Sequence, residues 1–303
     1  MKLWRWFTEK GATEAPLVPA PALTSTETGP PPQLADHPIT LDVGALSDVG
    51  RVRARNEDRF LALHTVTGSG GANLLPLGLF AIADGMGGHP DGDTASEVAI
   101  RAIAAHALPA LPSLSGANSE NRPIQEILTE AVLTAHQEIR RHATDQDIGT
   151  TATVALLVGA AIYLAHVGDT RAYILDAKGL HAITRDHSLV SRLQELGQLT
   201  AAEAQNHPQR NVLYRALGQS EELEVETYYR RLVGVSHLLL CSDGLWGLVS
   251  EADMTRILRT APGAQSACEA LIAAANAAGG EDNITVVLLV LPTSAASLEP
   301  SLD

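Results

Sequence analysis

The chain has 303 residues, a formal net charge of −14 at pH 7, and 45% hydrophobic but only 4% aromatic residues. That length accommodates one large domain or two small ones, with a core built from Ala, Leu, Val and Ile rather than from rings. The acidic balance argues against a nucleic-acid-binding surface, which needs clustered Lys and Arg, and against charge-driven adhesion to an anionic membrane.

Residues 1–38 contain seven of the 16 prolines, including Pro30-Pro31-Pro32. Such a composition cannot bury enough apolar surface to order itself, so a disordered tail is expected. Trp4, Trp6 and Phe7 stand near its start, as a frayed end or a short docking element. Met1 to Lys10 is charged and lacks the apolar stretch of a secretory signal, so a cytoplasmic protein is expected. Residues 39–292 read as one domain and 293–303 as a second tail. Short Val-, Ile- and Leu-rich runs predict strands at 39–47, 59–66, 77–83, 151–158, 160–167, 171–176, 225–229, 236–242 and 284–291. Helical periodicity marks 94–108 and 122–143, with shorter helices at 188–196, 250–259 and 264–278. Ser250 is the expected N-cap of the fourth. Thr67–Leu75 and Pro112–Arg122 read as surface insertions, and 197–224, without strand signals, as a lid. Ile148 to Val167 carries no charged side chain and is long enough to cross a bilayer, but Thr150, Thr151, Thr153, Gly159 and His166 interrupt it. Two buried strands turning near Gly159 explain it better. Cys241 and Cys268 have no zinc-type spacing and are expected as buried thiols. Brief turns between successive strands favour antiparallel pairing, hence an α+β architecture of sheets covered by helix pairs.

Asp58, Asp84, Asp243 and Asp282 each stand where an apolar strand is expected to end. Several carboxylates at the mouth of an apolar core are tolerable only when a strong cation neutralises them. All-oxygen sites favour Mg²⁺ or Mn²⁺ over zinc. In Asp84-Gly85-Met86-Gly87-Gly88-His89 a strand delivers a carboxylate, and glycines let the backbone approach a ligand, with the Gly85 carbonyl available to a metal. An Asp-Gly pair after a strand is often only a turn, but it recurs at Asp243-Gly244. Asp169 is a further aspartate of this kind. His166 reads as a satisfied core histidine, and His187 as a structural hydrogen-bonding group.

Seven motifs occur in order: Arg-Val-Arg-Ala-Arg-Asn-Glu-Asp (51–58), Ala-Asp-Gly-Met-Gly-Gly-His (83–89), Gly-Thr-Thr-Ala (149–152), Val-Gly-Asp-Thr-Arg (167–171), Arg-Asp-His-Ser (185–188), Cys-Ser-Asp-Gly-Leu (241–245) and Glu-Asp-Asn-Ile-Thr (281–285). With them the chain resembles the metal-dependent serine/threonine protein phosphatases of the 2C type, in their bacterial form, over about residues 40–291. The resemblance implies two packed antiparallel β-sheets flanked by pairs of antiparallel helices. It implies two Mn²⁺ or Mg²⁺ ions, with Asp84 bridging both. Asp243 and Asp282 would hold one of them, with Asp58 bonded directly or through water, and the Gly85 carbonyl would serve the other. Asp169 matches a ligand of a weaker third ion. Arg53 matches the arginine that grips the substrate phosphate, with Arg51 and Arg55 as rivals on sequence alone. Residues 188–218 match the variable flap that shapes access for protein substrates.

The implied reaction is direct in-line attack of a hydroxide shared by two metals on phosphoserine or phosphothreonine. His89 is the candidate general acid, because it follows the glycine loop and titrates near neutrality. The expected partners are phosphorylated proteins, either a serine/threonine kinase or its substrates, and the chain is expected to be a monomer without a transmembrane segment. Asp91 departs from the family pattern and is expected to cap the helix that follows. Asp91-Gly92-Asp93 superficially matches the start of an aspartyl-phosphate phosphatase, but no apolar strand precedes it and position 95 is Ala. A non-catalytic kinase-binding role is the remaining alternative, disfavoured by the intact aspartates.

Overall fold

Alternation along the strands divides the apolar residues between two faces, and this builds three layers of core. The computed structural model describes residues 41–68, 74–86, 90–111, 123–142, 148–200, 203–204 and 207–291. The expectations for 1–38 and 293–303 lie outside them.

One sheet runs in the order β1 (Asp42–Asp48), β11 (Ile284–Val290), β10 (His237–Cys241), β7 (Arg171–Leu175), β8 (Leu180–Ala182). The other runs β2 (Asp58–Gly68), β3 (Leu74–Met86), β5 (Ala152–Val158), β6 (Ala161–Val167), β9 (Glu226–Arg231), with β4 (Gly149–Thr150) paired to the end of β3. All the strand pairs are antiparallel. In β3, Phe80 and Ile82 point between the sheets, where they join Leu157, Leu164, Leu240 and Val287. Their neighbours Leu79, Ala81 and Ala83 face outward, onto Ala99 and Ile103 of α1 (Pro90–Ala107) and Leu128 and Val132 of α2 (Ile124–His142). On the opposite side Leu239, Cys241, Val286 and Leu288 pack against Met254 and Leu258 of α5 (Glu251–Thr260) and Cys268 and Leu271 of α6 (Ala264–Ala277). Two shorter helices, α3 (Leu189–Glu195) and α4 (Asp243–Trp246), lie between these elements in the chain. The result is the expected α+β sandwich, helices outside and two antiparallel sheets within.

Local chemistry explains the boundaries. Ser250 caps α5 as expected, its Oγ accepting from Asp253 N at 3.1 Å. Helix α6 begins after Gly263 without a cap of its own, and Asp42 Oδ2 from β1 accepts from Ala264 N at 2.8 Å instead. Ile148 to Val167 does form two buried strands, turning at Gly159, whose φ of 59° suits glycine. No helix among the described residues is long and apolar enough to cross a membrane. Both cysteines are free and buried.

Several boundaries move. Strand β3 continues through Asp84 to Met86, because Gly85 and Met86 pair with Thr150 and Gly149; Asp84 therefore lies within a strand. Asp58 opens β2 rather than ending a strand. Thr67, Gly68, Leu74 and Leu75 belong to the β2–β3 ladder, so that insertion is shorter than expected. Helix α1 starts at Pro90, a residue suited to a first helical position. Asp91 is thus inside the first turn and is not the N-cap.

Candidate metal centre

Five aspartates meet at the ends of β2, β3, β6, β10 and β11. Asp58 is 2% exposed and faces Asp84 across the β2–β3 ladder. Its Oδ2 accepts from Ser242 Oγ at 2.7 Å. Asp84 is fixed through its backbone: its N–H donates to Thr151 Oγ1 at 3.0 Å, and its carbonyl accepts from Thr150 Oγ1 at 2.8 Å and Thr151 N at 2.9 Å. Asp169 occupies the β6–β7 turn after Gly168 and is buried. The carbonyl of Asp169 accepts from Trp246 Nε1 at 3.0 Å. Arg171 lies 3.6 Å from the centre of that indole and pairs with both oxygens of Asp186, at 2.9 and 2.7 Å. Asp243 is the first residue of α4, and Asp282 lies two residues before β11.

Two glycines permit this closeness. A Cβ at Gly85 would stand 2.2 Å from the Gly92 carbonyl oxygen, and one at Gly244 would stand 2.0 Å from that of Asn283. Neither gap admits a side chain.

The five carboxylates share one another's field. Burial raises the pKa of Asp58 to about 6, and nearby Asp282 adds to the rise. It raises Asp243 to about 7, with Asp282 and Asp58 contributing. Asp84 is pushed well above the carboxylate range by burial and then by Asp58, Asp243, Asp169 and Asp282. Asp169 is raised likewise by burial and by Asp243 and Asp186.

Asp58 Oδ1 and Asp243 Oδ1 are buried and have no protein hydrogen-bond partner. Buried polar atoms are nearly always paired, so two orphan carboxylate oxygens beside three further carboxylates suit a hard, oxygen-seeking divalent cation. Among the described residues no group of three or more Asp, Glu, His or Cys side chains is placed to hold a metal ion as the side chains stand. The arrangement is a convergent carboxylate cluster, and the donor set fits Mn²⁺ or Mg²⁺ by its chemistry.

Of the three arginines in 51–55, Arg53 is the one placed on a cluster carboxylate, with Nη2 2.6 Å from Asp282 Oδ2. Arg51 anchors by its backbone N–H to the Gly280 carbonyl, at 2.7 Å. His89, Gly87 and Gly88 lie outside the described residues. Gly85 is buried, and its N–H donates to the Glu57 carbonyl at 3.2 Å. Asp93 is drawn into an ion pair with Arg59, whose Nη1 also donates to the carbonyls of Asn56 (2.9 Å) and Asp58 (2.8 Å). His166 is fully buried between the Thr153 hydroxyl (2.9 Å) and the Arg185 carbonyl (2.8 Å), a satisfied core histidine as expected.

Sequence reasoning missed the residues that hold the aspartates in place. Ser242 braces Asp58. Asn283 accepts from Glu57 N at 2.8 Å and donates to the carbonyls of Val49 and Arg55, both at 2.9 Å. Both lie inside motifs quoted above, so their positions were signalled although their roles were not. Beside the cluster opens a cleft of about 890 Å³, lined by Asp243, Asp282, Trp246 and Arg171 on one side and by Ser191 and Arg210 of the 188–218 segment on the other.

Residues 51–275 match the family described as Protein phosphatase 2C. The chain belongs to that family. It is an enzyme, a serine/threonine protein phosphatase, and its family is metal-dependent. Among similar proteins, the serine/threonine phosphatase stp of Listeria innocua is 37% identical over 248 residues, spanning 80% of this chain and 93% of its own length. The crystal structure of the Mycobacterium tuberculosis serine/threonine phosphatase PstP/Ppp superposes with a TM-score of 0.68 at 35% identity, covering 84% of this phosphatase and 99% of that chain. A further solved structure, the catalytic domain of PstP in complex with 2 manganese ions, gives a TM-score of 0.65 at 32% identity, covering 84% and 99%.

Proposed function

We propose that this phosphatase hydrolyses phosphoserine and phosphothreonine in proteins by direct in-line attack of a water-derived hydroxide, with two Mn²⁺ or Mg²⁺ ions at the cluster, and that it opposes a serine/threonine kinase in the cytoplasm. The reading rests above all on the five converging aspartates with two orphaned buried oxygens. Asp84, Asp243, Asp282 and Asp58 would hold the two ions, with the Gly85 carbonyl, and Asp169 would serve a weaker third. When bound, such ions offset the mutual repulsion of the carboxylates and make hydroxide available near neutral pH.

The chain's own groups supply the rest. Arg53 stands exposed at the rim with its guanidinium on Asp282, within reach of a phosphoryl group arriving from solvent. Its planar fork can donate to two phosphate oxygens at once, which orients the group for in-line displacement and offsets developing charge. Cys241 is buried, and burial raises its thiol pKa, which disfavours it as a nucleophile. A leaving serine or threonine alkoxide needs a proton, and His89 is the proposed donor. The catalytic domain is proposed to span 39–292 and to act as a monomer on phosphorylated proteins presented along the cleft.

Hydrolysis of p-nitrophenyl phosphate and of a phosphothreonine peptide, in Mn²⁺, Mg²⁺ or EDTA, tests this. Turnover should require a divalent ion and fall by about 10²–10³ in Asp243→Asn, as expected when a group stabilising the transition state is removed. Undiminished turnover in EDTA, or a fully active Asp243→Asn, would sink the assignment.

A further inference from the structure

Residues 51–59 carry four arginines, and only two of them have an acidic partner. Arg53 pairs with Asp282, and Arg59 with Asp93. Arg51 and Arg55 are exposed, and among the described residues neither side chain joins an ion pair or a hydrogen bond. Val52, which follows Arg51, is 69% exposed, so the crest of this loop faces solvent and packs on no core. The ends of the loop, by contrast, are pinned. Arg51 N donates to the Gly280 carbonyl at 2.7 Å, and the Arg55 carbonyl accepts from Asn283 Nδ2 at 2.9 Å. Gly280 and Asn283 lie on either side of Asp282, the residue that holds Arg53. Gly50 turns the chain into the loop with φ of 81°, and a Cβ there would stand 2.2 Å from the Asp282 carbonyl oxygen. At Gly280, with φ of 55°, a Cβ would come within 2.8 Å of Arg51 Cγ, so the Arg51 stem crosses the bare glycine. None of these contacts uses the guanidinium of Arg51 or Arg55.

Charge says what the two groups are suited to bind. The chain carries a net −14, and Asp243, Glu251, Glu281 and Asp282 line the cleft beside the cluster. An anionic peptide is therefore repelled over most of this surface and attracted where unpaired cations stand. A guanidinium fork donates two parallel hydrogen bonds to a carboxylate or a phosphate. Two residues of extended chain span at most about 7 Å, so Arg51 and Arg55 each stand within about 7 Å of Arg53, Cα to Cα. An extended peptide advances about 3.4 Å per residue. With its phosphoryl group on Arg53, such a peptide brings side chains one to three residues away within reach of Arg51 and Arg55.

We propose that Arg51 and Arg55 form a subsite for anionic groups flanking the phosphorylated residue, so that the preferred substrates are phosphorylated segments with neighbouring carboxylates or a second phosphate. This rests on the proposed function, in which Arg53 grips the phosphate to be cleaved.

The test uses the full chain in Mn²⁺ and three phosphothreonine peptides of equal length. One has neutral flanks, one has Asp and Glu on both flanks, and one has neutral flanks with a second phosphothreonine two residues away. For wild type, kcat/KM on an anionic peptide should exceed that on the neutral one about five- to tenfold, mainly through KM, as two exposed charge pairs allow. Added salt should shrink the advantage. In the double variant Arg51→Gln/Arg55→Gln the ratio should fall below about twofold, and in Arg51→Glu/Arg55→Glu the neutral peptide should become the better substrate. A gain confined to the doubly phosphorylated peptide assigns the subsite to phosphate, and a gain shared by the Asp and Glu peptide assigns it to anionic side chains in general. A wild-type ratio below about twofold for both anionic peptides would overturn the inference, as would a ratio that the glutamine double variant leaves unchanged. Failure to hydrolyse any of the three peptides would refute the proposed function instead. Fluorescence anisotropy of the labelled peptides then still decides the subsite: tighter binding of the anionic peptides that the double variant abolishes supports it, and equal binding of all three refutes it.

Discussion

The two rims of the aspartate cluster are held in different ways. Asp58, Asp243 and Asp282 are braced from inside the sandwich. Ser242 bonds Asp58 and accepts from Thr285 N at 2.9 Å, Asn283 ties down the loop before β2, and the Thr285 hydroxyl meets Ser47 at 2.7 Å. Asp84 and Asp169 are held by backbone contacts that lead outward, through Thr150, Thr151 and Gly168, to residues 187 and 214–217. The first rim is braced by the core and the second by a docked loop, so one site combines a core-braced half with a loop-braced half.

The largest expected effect comes from relieving repulsion on the core-braced rim. Asp58 and Asp243 hold their protons more tightly folded than unfolded, to about 6 and about 7. Their contribution to stability is full below the unfolded carboxylate pKa and is lost as pH rises through those values. In EDTA at pH 7.5, Asp243→Asn should therefore be more stable than wild type by about 2–4 kcal/mol in urea unfolding, while losing turnover. A destabilised Asp243→Asn would mean that the carboxylate is already neutralised by the protein itself.

Removing the brace comes next. Asn283→Ala leaves the Glu57 amide and the Val49 and Arg55 carbonyls without their partner. It should cost about 2–3 kcal/mol in the same assay, given the desolvation penalty of unpaired buried groups. A loss under about 0.5 kcal/mol would show that the loop is held by other means.

An effect with the opposite pH sign, the smallest of the three within any one pH unit, lies behind the loop-braced rim. Burial and neighbouring His187 lower the pKa of His166 to about 3. The folded state refuses a proton that the unfolded chain takes up, so this contribution is intact above about pH 6.5 and is lost as pH falls toward 3. Wild type should lose up to about 1.4 kcal/mol per pH unit in that window relative to His166→Gln, whose slope should be flatter. Equal slopes would show that His166 takes up its proton in place.

Much of this was legible in the residues. Apolar runs bounded by Gly or Asp located the long strands, and Ser250 with Asp253 marked a helix start from local chemistry alone. The seven motifs named every aspartate the structure brings together. What escaped depends on partners far along the chain. Strand β8 has three residues, too few for a pattern, and exists because Tyr173 and Ile174 offer it a ladder. The last turn of β3 is a strand only because Gly149 and Thr150 come to meet it. Asp243 read as the end of a strand, yet it opens a helix of four residues, a length without periodicity. The choice of Arg53 over Arg51 and Arg55 needed the direction of a side chain, which spacing does not give.

The order of strands in the first sheet carries a consequence for how this enzyme is made. Strand β1, at one edge, pairs with β11, the last of the described strands, and β11 lies between β1 and β10. While the chain is still being synthesised, residues 42–48 have no ladder to join, and Asp282 arrives only just ahead of their partner. Pairing across such a sequence distance is slow, and it leaves an unpaired strand exposed until late. The sheet whose strands flank Asp243 and Asp282 is therefore completed only once residues 284–290 have been made.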